Sequence, residues 1–239
     1  VANQVWLTTE DGLRLDARWH EGGDRVVVLA HGLTVDLAEN GLYEPLAAAL
    51  VARGLSVLRF SFRGHGRSDG QDRDMTITGE LRDLRAAIEW VDRPAALVGS
   101  SFGCVSVGLT GAHAVVLWQP VLDLRRTFLA PELPRARELY GAWTGGDNDI
   151  EGRFVLGGAL YEEFARYNPA ETFLATTTPA LVIHGDADVH ISHDIARDVA
   201  ARRPSTDWRS IPGAGHGFHE PAAAKEVVET TATWLERHA

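Results

Sequence analysis

Gly99-Ser100-Ser101-Phe102-Gly103 is the stretch on which the reading of this chain turns. It follows Ala95-Ala96-Leu97-Val98, an apolar run of the kind that fills a buried strand, and precedes Cys104 to Thr110, a segment able to open a helix. A serine between two glycines at a strand-to-helix turn is the G-x-S-x-G arrangement that lifts a hydroxyl out of a sharp bend. Gly99 and Gly103 leave room for the tight backbone, and Ser101 takes the strained position that projects its Oγ. The pentapeptide gains chemical meaning only if a base, an acid and oxyanion donors accompany it in a workable order.

Outward from the turn, strand-like and helix-like runs alternate. Val5 to Thr8 and Leu13 to Trp19 alternate in polarity around Asp11-Gly12, a hairpin signal. Val26 to Ala30 is continuously apolar, as in a strand buried on both faces. Tyr43 to Arg53 has helical periodicity and stops at Gly54, and Leu55 to Phe60 reads as the next strand. Thr78 to Val91 is the clearest amphipathic helix, with Leu81, Leu84, Ile88 and Val91 on one face. Strands are expected at Ala114 to Trp118, Ala180 to His184 and Trp208 to Ile211, with helices Ser192 to Arg202 and Ala222 to Arg237 after the last two. This order predicts an α/β fold with a mostly parallel central sheet and helices on both faces. Residues 121–170 break the rhythm with prolines, a Gly-Gly-Asp-Asn-Asp turn and several aromatics, and without a clear strand. They are expected to form a short cap insertion over the strand ends of a single domain, 1–239.

The remaining chemistry lies where such a sheet would place it. His216, in Pro212-Gly213-Ala214-Gly215-His216-Gly217-Phe218, follows the last expected strand, and Asp186 and Asp188 follow the one before. The order is therefore Ser, Asp, His, with all three beyond C-terminal strand ends, where open parallel sheets bind ligands. A serine hydroxyl is a weak nucleophile and needs a histidine to take its proton, while a carboxylate holds that histidine's tautomer. A tetrahedral oxyanion needs preorganised donors. One is expected from the Phe102 amide, and the other from the loop His31-Gly32-Leu33-Thr34, with Leu33 as the expected donor and His31 and Gly32 in support.

Together with Phe60-Ser61-Phe62-Arg63-Gly64-His65-Gly66-Arg67-Ser68-Asp69, these motifs resemble the α/β-hydrolase superfamily along the whole chain, in its serine esterase branch. His31-Gly32-Leu33-Thr34, Leu156-Gly157-Gly158 in the short cap and Gly215-His216-Gly217-Phe218 look most like bacterial cinnamoyl or feruloyl esterases. The resemblance implies that Asp188 is the acid of the triad and that Asp186 shapes the turn. It implies cleavage of carboxylic esters through an acyl-enzyme on Ser101, without a cofactor, and the short cap suggests a small or aromatic acyl group, since a long chain needs more apolar lining. Thioester or amide cleavage, acyl transfer and carbon–carbon hydrolysis use the same triad and stay open, as does a non-catalytic ligand-binding module.

Other readings are weighed against this constellation. The formal net charge of −10 (23 Lys+Arg, 33 Asp+Glu) argues against nucleic acid or an anionic membrane as the main partner. A small-molecule ester is the expected partner, with a homodimer as an open assembly state. One cysteine, Cys104, rules out an internal disulfide and reads as a packed small hydrophobe. No run approaches a membrane span, and the expected location is cytoplasmic unless a signal peptide has been removed. His184, Asp186, Asp188, His190 and His193 crowd one region, but their spacing matches no structural zinc pattern, so no metal is expected. His219 is a rival base that reads as a helix entry. His65, Arg63 and Ser68 are expected to brace their turn, and Arg125 and Arg126 to form a solvated face. Tyr140, Trp143, Phe154 and Tyr161 suit either an aromatic acyl pocket or the cap's own core.

Overall fold

The computed structural model describes residues 2–141 and 143–239. The hairpin β1 (Ala2–Thr8) and β2 (Arg14–His20) leads into β3 (Arg25–Ala30), α1 (Tyr43–Val51), β4 (Leu55–Phe60), α2 (Ile77–Val91), β5 (Ala95–Ser100), α3 (Gly103–Leu109) and β6 (Val115–Trp118). Then come α4 (Pro134–Tyr140), β7 (Asn148–Ile150), β8 (Phe154–Leu156), α5 (Gly158–Glu163) and α6 (Pro169–Ala175). The chain closes with β9 (Ala180–Gly185), α7 (His193–Ala201), β10 (Thr206–Ile211) and α8 (Pro221–His238).

Eight strands form one sheet in the order β1-β2-β4-β3-β5-β6-β9-β10. Pairing is antiparallel for β1 with β2 and for β2 with β4, and parallel from β4 onward. The expected mostly parallel sheet is thus observed. Its central strands are apolar throughout because both faces are covered. Along β3, Val27 and Leu29 face Leu46, Leu50 and Trp234 of α1 and α8, while Val26 and Val28 share a core with Leu84 and Val107 of α2 and α3.

The α2 start is set by Thr76, whose hydroxyl accepts the Gly79 N–H at 2.9 Å, a cap worth about 1 kcal/mol. Leu84 and Val91 are buried as expected, but the buried face also carries Glu80 and Asp83. Apolar periodicity gives no sign of these acids, whose burial depends on distant partners. Asp83 takes the Arg63 guanidinium, which also reaches Asp11, and Glu80 accepts from the Ser106 hydroxyl at 3.1 Å. Burial pushes both carboxyls above their ordinary range, with Arg63 pulling against it. The 60–69 turn is braced as expected: the Ser68 hydroxyl donates to the Ser61 carbonyl at 2.7 Å and accepts the Asp16 N–H at 3.0 Å.

The stretch 121–170 differs from expectation in one respect: β7 and β8 pair as a small antiparallel sheet. Each strand has three residues, too few for an alternation to show in the sequence. Phe128, Phe154, Leu156, Leu160, Tyr161 and Phe164 form a core that packs on Phe102 and Val105. Among the described residues no helix is long and apolar enough to cross a membrane.

Candidate active site

The turn after β5 is as tight as the pentapeptide predicts. Ser101 has φ +50°, the left-handed region that a non-glycine residue enters only when its surroundings hold it. Its N–H donates to the Trp118 carbonyl at 2.8 Å, and its carbonyl accepts from Val121 at 3.2 Å. A Cβ on Gly103 would lie 2.3 Å from the His31 carbonyl oxygen, and one on Gly99 would lie 2.9 Å from the Cys104 Cα. Both glycines are therefore demanded by close approach of backbone. Cys104 is fully buried behind the turn, its thiol directed at the Trp118 carbonyl.

His216 stands between the serine and Asp188. Its Nε2 lies 3.1 Å from Ser101 Oγ, and its Nδ1 lies 2.8 Å from Asp188 Oδ2. A carboxylate only accepts, so Nδ1 carries the proton and Nε2 is left as the acceptor for the serine hydroxyl. Asp188 Oδ1 takes the His190 and Ile191 amides at 2.8 and 3.0 Å. Burial pushes the Asp188 carboxyl up, but His216, by its charge when protonated and by its hydrogen bond, outweighs it and holds the group below its ordinary value. Asp186 points elsewhere and accepts the Gly213 N–H at 2.7 Å, tying the turn after β9 to the loop that carries His216. Of the two aspartates, Asp188 is thus the one brought to His216.

The loop after β3 passes beside the serine turn. The Gly32 carbonyl accepts from His31 Nδ1 at 2.7 Å, and His31 Nε2 accepts the Phe62 N–H at 2.9 Å. Burial pushes the His31 imidazole far below its ordinary value, so it is the neutral ring that these two partners require. Among the described residues neither the Leu33 nor the Phe102 amide donates to a protein acceptor; Leu33 lines the cleft, and Phe102, fully buried, follows Ser101 directly.

Two buried polar residues that the sequence did not single out hold this arrangement. Glu39 accepts the Gly32 N–H at 2.8 Å and the Ser100 hydroxyl at 3.0 Å. Gln119, at φ +41°, accepts the Gly217 N–H at 2.9 Å, next to His216. Neither carries a local signal, because each lies in a loop and takes its meaning from a segment distant in sequence.

The cleft above Ser101 has a volume of about 380 Å³. Leu139, Tyr140 and Ile150 line it from the cap, with Arg135 and Glu151 in its wall. His219 also lines it, so this residue is a cleft residue and more than the helix entry expected of it. Of the four cap aromatics, Tyr140 reaches the cleft, whereas Trp143 stacks on Tyr161 at 4.5 Å and Phe154 packs on His65 at 4.7 Å. A larger groove of about 760 Å³, lined in part by Arg125, Arg126 and Tyr167, contains none of Ser101, Asp188 or His216. Chemistry therefore assigns the smaller cleft as the site. Among the described residues, ligand-type atoms of Asp188, His190 and His216 lie within 4.8 Å of one another. Both Asp188 oxygens already take N–H donors, whereas His190 Nδ1 is buried without a hydrogen-bond partner among the described residues. His193 turns away to Ser210 at 2.9 Å.

Known proteins share this architecture. The structure of Est1E from Butyrivibrio proteoclasticus with ferulic acid bound matches with a TM-score of 0.84 at 19% identity, covering 98% of each chain. An esterase of Pyrococcus furiosus, Pf2001, matches with a TM-score of 0.76 at 22% identity, covering 100% of this chain and 91% of that one. By sequence, the monoacylglycerol lipase of Mycolicibacterium smegmatis is 28% identical over 251 residues, 89% of this chain and 88% of that protein. An uncharacterised protein of Mycobacterium tuberculosis is 28% identical over 254 residues, 98% of this chain and 79% of that protein. Residues 27–230 match the model of the alpha/beta hydrolase family, and the chain belongs to that family.

Proposed function

We propose that this protein is a serine hydrolase that cleaves carboxylic esters bearing a small or aromatic acyl group. The observation that carries the reading is the hydrogen-bonded chain from Ser101 Oγ through His216 to Asp188, at 3.1 and 2.8 Å. Ser101 attacks the ester carbonyl as His216 Nε2 takes its proton, and Asp188 steadies the imidazolium that forms. The Leu33 and Phe102 amides donate to the oxyanion, where one lost donor typically costs about 10²–10³ in rate. Collapse breaks the ester C–O bond, and His216 returns its proton to the departing alcohol. Water deprotonated by the same histidine then attacks the acyl-enzyme and releases the acid and the free serine.

The acyl preference has its own support. A cleft of about 380 Å³ lies at the lower end of the range for small-molecule sites, and Tyr140 offers it an aromatic wall. Ferulic acid bound to Est1E and the lipase activity in the name of the Mycolicibacterium relative point to acids and esters as ligands on this fold. Hydrolysis of methyl ferulate and p-nitrophenyl butyrate by the wild type and Ser101→Ala tests the reading. The wild type is expected to turn over at least one ester, and the variant to lose roughly 10⁶-fold in kcat. Turnover retained in Ser101→Ala would overturn the nucleophile. Butyrate cleavage without ferulate cleavage would overturn the aromatic acyl group alone.

A further inference from the structure

Glu39 is a buried acid that the reaction described above does not use. It lies in the loop between β3 and α1, where Glu39 and Asn40 take φ +46° and +52°, consecutive left-handed positions filled by non-glycine residues. Such strain persists only when the surroundings over-determine it. The side chain is turned inward, with the residue 4% exposed, and among the described residues it meets no cation. A buried carboxyl without a counter-ion needs strong hydrogen-bond compensation. Its compensation consists of two donors, the Gly32 N–H on Oε2 and the Ser100 hydroxyl on Oε1.

Those donors identify its place in the site. Gly32 immediately precedes Leu33, and Ser100 stands two residues before Phe102. One carboxyl therefore bridges the loop of Leu33, which lines the cleft, and the turn of Phe102, which follows Ser101 directly. The loops meet closely here, since a Cβ on Gly32 would lie 3.1 Å from the Ser101 Cβ. The other side-chain ties of the β3 end, His31 to Phe62 and Tyr43 to the Ala30 carbonyl, run to β4's end and to α1 instead. We propose that Glu39 is a positioning residue that sets the separation of the Leu33 and Phe102 amides by bridging Gly32 and Ser100. The role belongs to the two hydrogen bonds. A glutamine satisfies both, its oxygen accepting from Gly32 and its amide donating to the rotated Ser100 hydroxyl.

The inference rests on the reading of Ser101 as the nucleophile, and its test separates the two. Ser101 phosphonylation by a fluorophosphonate probe is followed by mass spectrometry, with kcat and KM for p-nitrophenyl butyrate measured beside it, all well below each variant's Tm. In the wild type, labelling at Ser101 is expected. Glu39→Ala is expected to slow labelling and kcat by about 10- to 10²-fold, as for a misplaced reacting geometry, with KM within about twofold. Glu39→Gln is expected to restore both rates to within about threefold of wild type. A folded Glu39→Ala that labels at the wild-type rate overturns the proposal, as does a Glu39→Gln as slow as the alanine variant. If Glu39→Ala fails to fold, Ser100→Ala removes one arm of the bridge, and unchanged labelling there overturns it too. An unlabelled wild type overturns the nucleophile reading and the proposal with it.

Discussion

On the sheet side of the cleft, Ser101, Asp188 and His216 stand in the loops after β5, β9 and β10, and the bonds that join them are partly buried. On the opposite side, Tyr140, Leu139 and Ile150 stand on helices and strands of three to seven residues. The ion pairs of that side, Arg126–Glu132 and Arg135–Glu138, are exposed, whereas the sheet side holds Arg63 between Asp83 and Asp11 with Asp83 fully covered. The difference divides the labour of the site. On the proposed mechanism, proton transfer and oxyanion binding, which tolerate errors of well under an ångström, rest on parallel strands. The wall proposed to hold the acyl group needs only shape, and it rests on small elements held by aromatic packing such as Trp143 on Tyr161.

The contrast can be attacked from its strongest point downward. Asp188→Asn is expected to lower kcat by about 10⁴ while leaving substrate binding in place, because an amide presents the wrong partner to His216 Nδ1. Steady-state kinetics on whichever ester is turned over check this, and a loss below tenfold would remove Asp188 from the site. Next, Arg63→Ala is expected to destabilise the fold by about 3 kcal/mol, since it leaves the Asp83 carboxyl buried and unpaired. Arg126→Ala is expected to leave Tm unchanged. Thermal unfolding of the two variants breaks the comparison if their shifts are alike. The smallest effect is expected from Tyr140→Ala, which should change the preference between ferulate and acetate esters by about tenfold with little change in acetate kcat. An equal loss on both esters would place Tyr140 in the machinery of the sheet side.

How much of this could be read beforehand depended on the range over which each signal acts. The turn at Ser101 is legible because Gly99 is imposed by a neighbour at hand, the Cys104 backbone. The apolar runs of β3, β5 and β9 were legible because burial on both faces leaves no room for polar alternation. The choice of Asp188 over Asp186 came from resemblance, and the hydrogen bonds agree with it. In the cap, β7 and β8 are not legible because three residues carry no period.

By itself, then, the sequence determined the α/β order, the strained serine turn and the Ser, Asp, His succession, all of which follow from local sterics and from apolar runs. The tertiary structure alone decided which acids are buried and what they hold. Glu39 meets Ser100 across 61 residues, Asp83 meets Arg63 across 20, and Gln119 meets the Gly217 amide across 98. A polar residue in a loop reads as solvated until its partner is known. Burial of such a group is set by whether a donor or counter-charge waits at the end of its side chain, and that is a property of the folded chain.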